Sequence, residues 1–234
     1  MPESTRNTRR SFIKQVTAGS VGAGLALSMP ARGYANILTS RSPNETVAVG
    51  IIGTGGRGDS LARSFARLSG ATVAHVCDVD ERRVAETRAK VQEIQSMEPG
   101  TVTDFRRILE DPAVDAVVIA MPDHWHTPAA LLAMQAGKHV YVEKPGSHNA
   151  REGELIVEAA RHHRRVVQMG NQRRSWPGVI EAMERIRDGV IGPVHYARGW
   201  YANARPSIGR GQAVEVPAWL DYELWQGPAP RQPY

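Results

Sequence analysis

Residues 47–58 read V-A-V-G-I-I-G-T-G-G-R-G, an apolar strand that runs straight into Gly53-x-Gly55-x-x-Gly58. In that context the glycines have separate jobs: Gly53 permits a tight turn, Gly55 lets backbone approach a pyrophosphate, and Gly58 lets the following helix pack closely on the strand. A helical run at Ser60–Leu68, a strand at Ala71–Cys77 and an acidic residue, Asp78, follow in order. Asp78 lies about twenty residues past the last glycine, the spacing of a carboxylate that accepts hydrogen bonds from an adenosine ribose. The unit is βαβ, and the helix N-terminus that it creates offers free N–H groups and a positive dipole end to phosphates.

The rest of the chain continues the alternation. Asp80–Gln95 is a charged amphipathic helix; Asp104 caps a helix at Phe105–Glu110, which Asp111-Pro112 stops. Asp115–Met121 is a continuous apolar run, as a parallel strand buried on both faces requires. A helix at Pro128–Ala136 closed by Gly137, a strand at His139–Val142, a helix at Arg151–His163 and a strand at Val166–Met169 complete six units of a doubly wound, α/β parallel sheet. Past Gly170 the pattern changes to one helix (Gly178–Asp188), one strand (Val194–Tyr201) and a loop rich in Gly, Pro and Trp. One helix and one strand cannot make a core. The expected domains are therefore a cofactor-binding unit over 47–170 and the incomplete start of an α+β substrate and oligomerisation domain over 171–234. The chain reads as a fragment or truncated product, inactive alone and prone to association through its uncovered helix.

Charge does not point to nucleic acid. The net charge is +5, but residues 1–35 hold five basic and one acidic residue, so the remainder carries 24 basic and 23 acidic, a net of +1. The N-terminal stretch Thr8-Arg9-Arg10-Ser11-Phe12-Ile13-Lys14, the mild apolar run Val16–Met29 and the small-residue end Gly33-Tyr34-Ala35 resemble a twin-arginine export signal. That predicts a leader at 1–35, a polar linker at 36–46, export machinery as a partner and a periplasmic destination. The apolar run is too short and too rich in small residues for stable membrane insertion. A single cysteine, Cys77, rules out an intrachain disulfide and reads as a buried small hydrophobe.

In a doubly wound sheet ligands sit beyond the carboxyl ends of the strands. There the sequence places Met121-Pro122-Asp123-His124-Trp125-His126, Glu143-Lys144-Pro145 and Gly170-Asn171-Gln172-Arg173-Arg174. At these residues the chain resembles the Gfo/Idh/MocA family, the relatives of glucose-fructose oxidoreductase and inositol dehydrogenase. Glu143-Lys144-Pro145 matches its E-K-P motif, Asp123-x-x-His126 takes the place of its N-x-x-H, and Gly170–Pro177 looks like its G-x-x-R-R-x-x-P stretch. The closing Trp225-Gln226-Gly227-Pro228-Ala229-Pro230 is typical of exported members. Asp123 departs from the usual asparagine, and the family's D-x-x-x-H, which usually holds the proton acceptor, would lie beyond Tyr234.

The resemblance implies a carbohydrate or polyol substrate, a homo-oligomeric full-length protein, and catalytic roles for Lys144 and His126. Lys144 would hold the reacting hydroxyl over the nicotinamide. The expected cofactor contacts are Gly53, Gly55, Gly58, Asp78, Pro122, Asp123, His126, Glu143, Lys144 and Arg174. Glu143 either contacts the nicotinamide ribose or pairs with Lys144, and Arg174 either meets substrate or cofactor or makes an interdomain ion pair. His124 reads as structural, and no metal site is expected, since two imidazoles without a third ligand make a poor zinc site. Asp78 would repel a 2′-phosphate and favours NAD, while Arg82 and Arg83 leave NADP open. Three functions stay in view: a hydride-transferring oxidoreductase, an NAD-dependent glycosidase working by transient oxidation, and a non-catalytic nucleotide- or sugar-binding protein.

Overall fold

The computed structural model describes residues 46–201 and 204–234. The expected leader and nearly all of the linker lie outside the described residues.

Six parallel strands form one sheet: β1 (Val47–Ile52), β2 (Ala71–Cys77), β3 (Gly100–Val102), β4 (Ala116–Ile119), β5 (His139–Val142) and β6 (Val167–Met169), in the order β3-β2-β1-β4-β5-β6. The order reverses between β1 and β4, which opens a crevice at their carboxyl ends. Helices α1 (Gly56–Ala66), α2 (Glu81–Gln95), α3 (Arg106–Glu110), α4 (Asp123–Gln135) and α5 (Ala150–His163) connect the strands. Alternation along the strands divides the core, with a register shift in the β1–β2 pairing that brings Val73 and Val76 to one face. Val49, Ile51, Val73, Val76 and Val118 pack with Leu61 and Ala62 of α1 and Val84 and Val91 of α2. Ile52, Val117, Ile119, Val140 and Val142 pack with Ile108 of α3, with Ala129, Ala133 and Met134 of α4 and with Ile156 of α5. Apolar side chains on both faces of every central strand are what makes β4 a continuous apolar run.

Local signals place the helix ends. Asp80 caps α2 by accepting the Arg82 amide, Asn149 caps α5 by accepting the Glu152 amide, and Asp104 accepts the Arg106 amide at the start of α3. The sequence pattern assigns no residues to the edge strand β3, and two helix starts differ from expectation by a turn or more. Helix α1 starts at Gly56, inside the glycine motif, and α4 starts at Asp123, so Asp123, His124, Trp125 and His126 form its first turn instead of a loop. Pro122 directly precedes the first helical residue, and Pro128 is accommodated inside the helix. Reading Pro128 as the first helical residue placed the N-terminus five residues late.

Beyond β6 a short 3₁₀ turn (Gln172–Ser175) leads to α6 (Pro177–Arg187), which leaves Val179, Ile180 and Met183 exposed. The strand expected at Val194–Tyr201 does not form: Tyr196, Trp200 and Tyr201 are 78%, 79% and 77% exposed, and no described strand runs beside them to take their backbone groups. The terminal segment, expected as a loop, holds a helix, α7 (Tyr222–Gln226), and returns to the sheet. The Glu81 amide donates to Trp219 O at 3.2 Å, the Asp221 amide donates to Val79 O at 3.0 Å, and Leu220 bridges Asp80 antiparallel. Trp125 Nε1 donates to the carbonyls of Leu224 and Trp225, and Gly227 (φ +51°) lies so close to the Trp125 ring that a Cβ there would stand 2.1 Å from it. Residues 217–234 thus form a strap tied to the ends of β2 and α4.

Cys77 is buried and its Sγ lies 3.3 Å from Thr103 O. Burial first, then the charges of Asp78 and Asp104, push its thiol well above the ordinary range. A thiol reagent is therefore expected to label no cysteine in the native chain and one after denaturation; labelling at a free-thiol rate under native conditions contradicts this placement.

Candidate functional site

The crevice at the carboxyl ends of β1, β2 and β4 is a cavity of about 730 Å³, floored by Gly53, Gly55, Gly56, Asp78, Met121 and Pro122. The strap walls its far side with Trp219, Tyr222, Trp225 and Tyr234.

The three glycines can be separated by what a side chain would meet. Gly53 has φ +85°, and a Cβ there would stand 2.7 Å from Ala120 O, so it makes the turn and presses against β4. A Cβ on Gly58 would stand 1.7 Å from Gly53 O, which makes this the contact that seats α1 on β1. Gly55 meets only Arg83 Nη1, at 3.6 Å; its missing side chain leaves room in the cleft itself. No side chain caps α1 at Gly55. Its first amides are thus left for an anion, at the positive end of the helix. An open backbone cradle and uncapped amides fit a dinucleotide pyrophosphate.

Asp78 stands at the end of β2 and is tied into the glycine loop. Its Oδ2 accepts from the Thr54 amide at 2.6 Å and the Thr54 hydroxyl at 3.1 Å, and its Oδ1 accepts from the Asp80 amide at 3.0 Å. Oδ1 keeps a further lone pair for a ribose hydroxyl. Thr54 escaped the sequence reading, although a hydroxyl inside the glycine motif beside an acidic strand end was a visible signal.

A second cluster lies beyond β5. Glu143, 4% exposed, accepts from Arg57 Nε at 2.8 Å and from Gln172 Nε2 at 3.0 Å, and its Oε1 lies 3.4 Å from the Tyr141 hydroxyl. Partial burial pulls the Arg57 pKa down, but the hydrogen bond and charge of Glu143 outweigh it, and the guanidinium is held above its ordinary value. Burial and then the Glu143 charge raise the Tyr141 phenol. Glu143 therefore pairs with Arg57, not with the Lys144 side chain; only the Lys144 amide lies near it, at 3.3 Å. The carboxylate fastens the glycine loop to the ends of β5 and β6, and Gly170 makes room for it, since a Cβ there would stand 2.7 Å from Oε1. Arg57 sits within the glycine motif and Gln172 two residues after Gly170, and nothing local in either stretch marks it as a partner of Glu143.

Lys144 is exposed at the mouth of β5, next to a cis peptide bond to Pro145. His126, expected as a catalytic and cofactor-binding group, is only 2% exposed. Its Nδ1 lies 2.5 Å from Pro145 O and its Nε2 2.8 Å from Met121 O. Both ring nitrogens meet backbone carbonyls, which makes His126 a tie between the ends of β4 and β5 with no nitrogen left for a reacting hydroxyl. His124 contacts Trp225 O at 3.0 Å and stacks edge-on against the Trp225 ring, the structural role expected of it. Pro122 lines the cleft; Asp123 is exposed on the first turn of α4, and Arg174 is exposed on the 3₁₀ turn, neither among the cleft-lining residues.

Comparison with known proteins agrees with this geometry. Residues 47–171 match the model of a family described as the oxidoreductase family with an NAD-binding Rossmann fold, GFO_IDH_MocA. An inositol 2-dehydrogenase of Rubrobacter xylanophilus is 36% identical over 166 residues, covering 70% of this chain and 46% of that protein. A glycosyl hydrolase family 109 protein of Saccharopolyspora erythraea is 32% identical over 209 residues, covering 83% of this chain and 45% of that protein. Among solved structures, a scyllo-inositol dehydrogenase from Lactobacillus casei with bound NAD(H) and scyllo-inositol matches with TM-score 0.57 at 26% identity, over 63% of this chain and 42% of that one. The chain spans about half the length of the curated relatives it matches.

Proposed function

Because the chain belongs to the Gfo/Idh/MocA oxidoreductase family, whose domain is the NAD-binding Rossmann fold, we propose that it serves hydride transfer between NAD and an alcohol carbon of a sugar, polyol or related carbohydrate. The observation that carries this reading is the cleft itself: an open backbone cradle at Gly55 under uncapped helix amides, with Asp78 at one end.

When bound, nicotinamide supplies the hydride acceptor or donor. The glycine loop and the α1 N-terminus hold the phosphates, and Asp78 takes the ribose at the adenosine end. Glu143, clamped by Arg57 and Gln172, keeps the loop registered on β5. Lys144 projects from the same strand end, where it can donate a hydrogen bond to a substrate hydroxyl and oppose the charge that develops on its oxygen. His126 positions this end by sitting between the carbonyls of Met121 and Pro145, donating its ring N–H to one and packing against the other.

The relatives named as glycosyl hydrolase family 109 support a second reading, glycoside cleavage by transient oxidation on the same cofactor. Incubating NAD with a polypeptide of the relatives' full span and, in separate arms, a polyol panel and a glycoside panel separates the two: net NADH from polyols marks the first, and sugar release from glycosides without net NADH marks the second. No turnover of either substrate class, with NAD bound, leaves a nucleotide-binding role. The twin-arginine pattern at Arg9-Arg10 further supports export to the periplasm, which fusion of residues 1–35 to a reporter of that compartment tests.

At the level of binding, the chain is expected to take NAD more tightly than NADP, and Asp78→Ala to erase that preference. Titration of both dinucleotides against both proteins decides the point, and a wild-type preference for NADP refutes the assignment of Asp78.

A further inference from the structure

Arg82 and Arg83 follow the strand end that reads the adenosine ribose, the place where a cation would welcome a 2′-phosphate. The structure shows what holds them. Asp80, 5% exposed, grips Arg82 with both oxygens: Arg82 Nε donates to Oδ1 at 3.0 Å and Nη2 donates to Oδ2 at 2.9 Å. The Arg82 amide donates to the same Oδ1 at 3.0 Å. The face of the guanidinium lies over the Trp219 ring of the strap, 3.2 Å from its centroid. Edge and face are both engaged. Arg83 Nε stands 3.4 Å from Asp80 Oδ2, and its Nη1 reaches towards Gly55, on the pyrophosphate side of the cleft.

Resting on the reading of the cleft as a dinucleotide site, we propose that Asp80 is a specificity-determining residue that withholds Arg82 from the ribose 2′ position, with Trp219 of the strap holding the arginine in that retracted pose. A guanidinium whose Nε–Nη2 edge is forked onto a carboxylate and whose face is stacked on an indole is fixed in that pose, so it cannot turn that edge to a phosphate without giving up the carboxylate. Asp78 then sets a negative charge beside the ribose that Arg82, neutralised by Asp80, does not offset, which a 2′-hydroxyl tolerates and a 2′-phosphate does not. Selection against NADP is achieved by sequestering a cation that is present, in addition to placing an acid.

The test is calorimetric titration of the intact chain with NAD and with NADP, for the wild type, Asp80→Asn, Arg82→Ala and the double variant. Asparagine keeps an N-cap oxygen for α2 while removing the charge. Asp80→Asn is expected to tighten NADP about tenfold relative to NAD with NAD itself changed less than about threefold, Arg82→Ala alone to leave both affinities within about twofold, and the double variant to lose the gain. An unchanged NADP-to-NAD ratio in Asp80→Asn, or a gain that survives loss of Arg82, overturns the proposal. Should Asp80→Asn fail to fold, Arg82→Ala decides alone: unchanged NADP affinity supports sequestration, and weakened NADP affinity shows that the arginine already binds the phosphate and overturns it. A wild-type chain that binds neither dinucleotide removes the underlying cofactor reading, an outcome distinct from binding without the predicted shifts.

Discussion

Gly58→Ala is expected to abolish saturable NAD binding and to lower the melting temperature, whereas Gly55→Ala is expected to abolish binding and melt like the wild type. The two glycines lie three residues apart in one motif, but a Cβ at 58 would stand 1.7 Å from Gly53 O, while a Cβ at 55 has Arg83 Nη1 as its nearest neighbour at 3.6 Å. The first clash is with backbone that cannot swing aside, so α1 must lift from β1. Overpacking of this kind costs about 3 kcal/mol, the upper end of the usual range, and in a domain of this size that is a fall of roughly 6–12 °C. The second substitution costs the fold little, since Gly55 has φ −59°, which alanine adopts freely. Its methyl group instead fills the space a pyrophosphate needs, and a misfit of about 1.4 kcal/mol already weakens binding tenfold. Calorimetric melting and NAD titration on both variants separate the roles; equal melting temperatures for the two, or NAD binding by either, contradict the assignment.

Lys144→Ala, made in a polypeptide of the relatives' full span, is expected to lower turnover by about two to three orders of magnitude and to change the NAD dissociation constant less than about threefold. Position argues for this split. In the proposed reading the glycine loop and Asp78 would hold the adenosine half at the ends of β1 and β2, whereas Lys144 stands exposed at the end of β5, behind a Glu143 that is already satisfied by Arg57 and Gln172. A lysine that is free of its neighbouring carboxylate can serve an incoming hydroxyl. Single-turnover rates and equilibrium NAD binding read the two quantities independently. An unchanged rate returns Lys144 to an ordinary surface residue, and an equal loss in both makes it a cofactor ligand.

The sheet was legible because its signals are local and periodic. Apolar strands of the right length, each followed by a helical run, predict a parallel sheet, though neither its order nor the three-residue edge strand β3, and Asp80, Asp104 and Gly137 mark helix ends through chemistry that acts within a few residues. What stayed hidden was pairing across the chain. Arg57 meets Glu143 over 86 positions and Gln172 meets it over 29, and neither distance leaves a periodic trace. His126 shows the same limit from the other side: its place after Pro122 suggested a group facing the cleft, but the helix starts at Asp123 and turns the imidazole inward, onto two carbonyls. The strand expected at Val194–Tyr201 had apolar residues of the right kind but no described neighbour to pair with. Residues 217–234 looked like a loop because their proline and glycine content masks the Asp221 cap of α7 and because what fixes them is Trp125, about a hundred positions away.

The strap also sets an order of events during synthesis. The floor of the cleft is translated first, and its far wall, Trp219 to Tyr234, leaves the ribosome about 160 residues after Gly58. At roughly 5–20 residues per second the delay is about 10–30 s, long compared with the folding of a small domain. Over its last stretch, from the emergence of β6 to that of Trp219, Arg82 has no indole beneath it and Trp125 no carbonyl to bond, so the nascent sheet presents a cleft that is open beside β2. Completion of this pocket is a late, long-range event, and residues 217–234 finish what the first strand began.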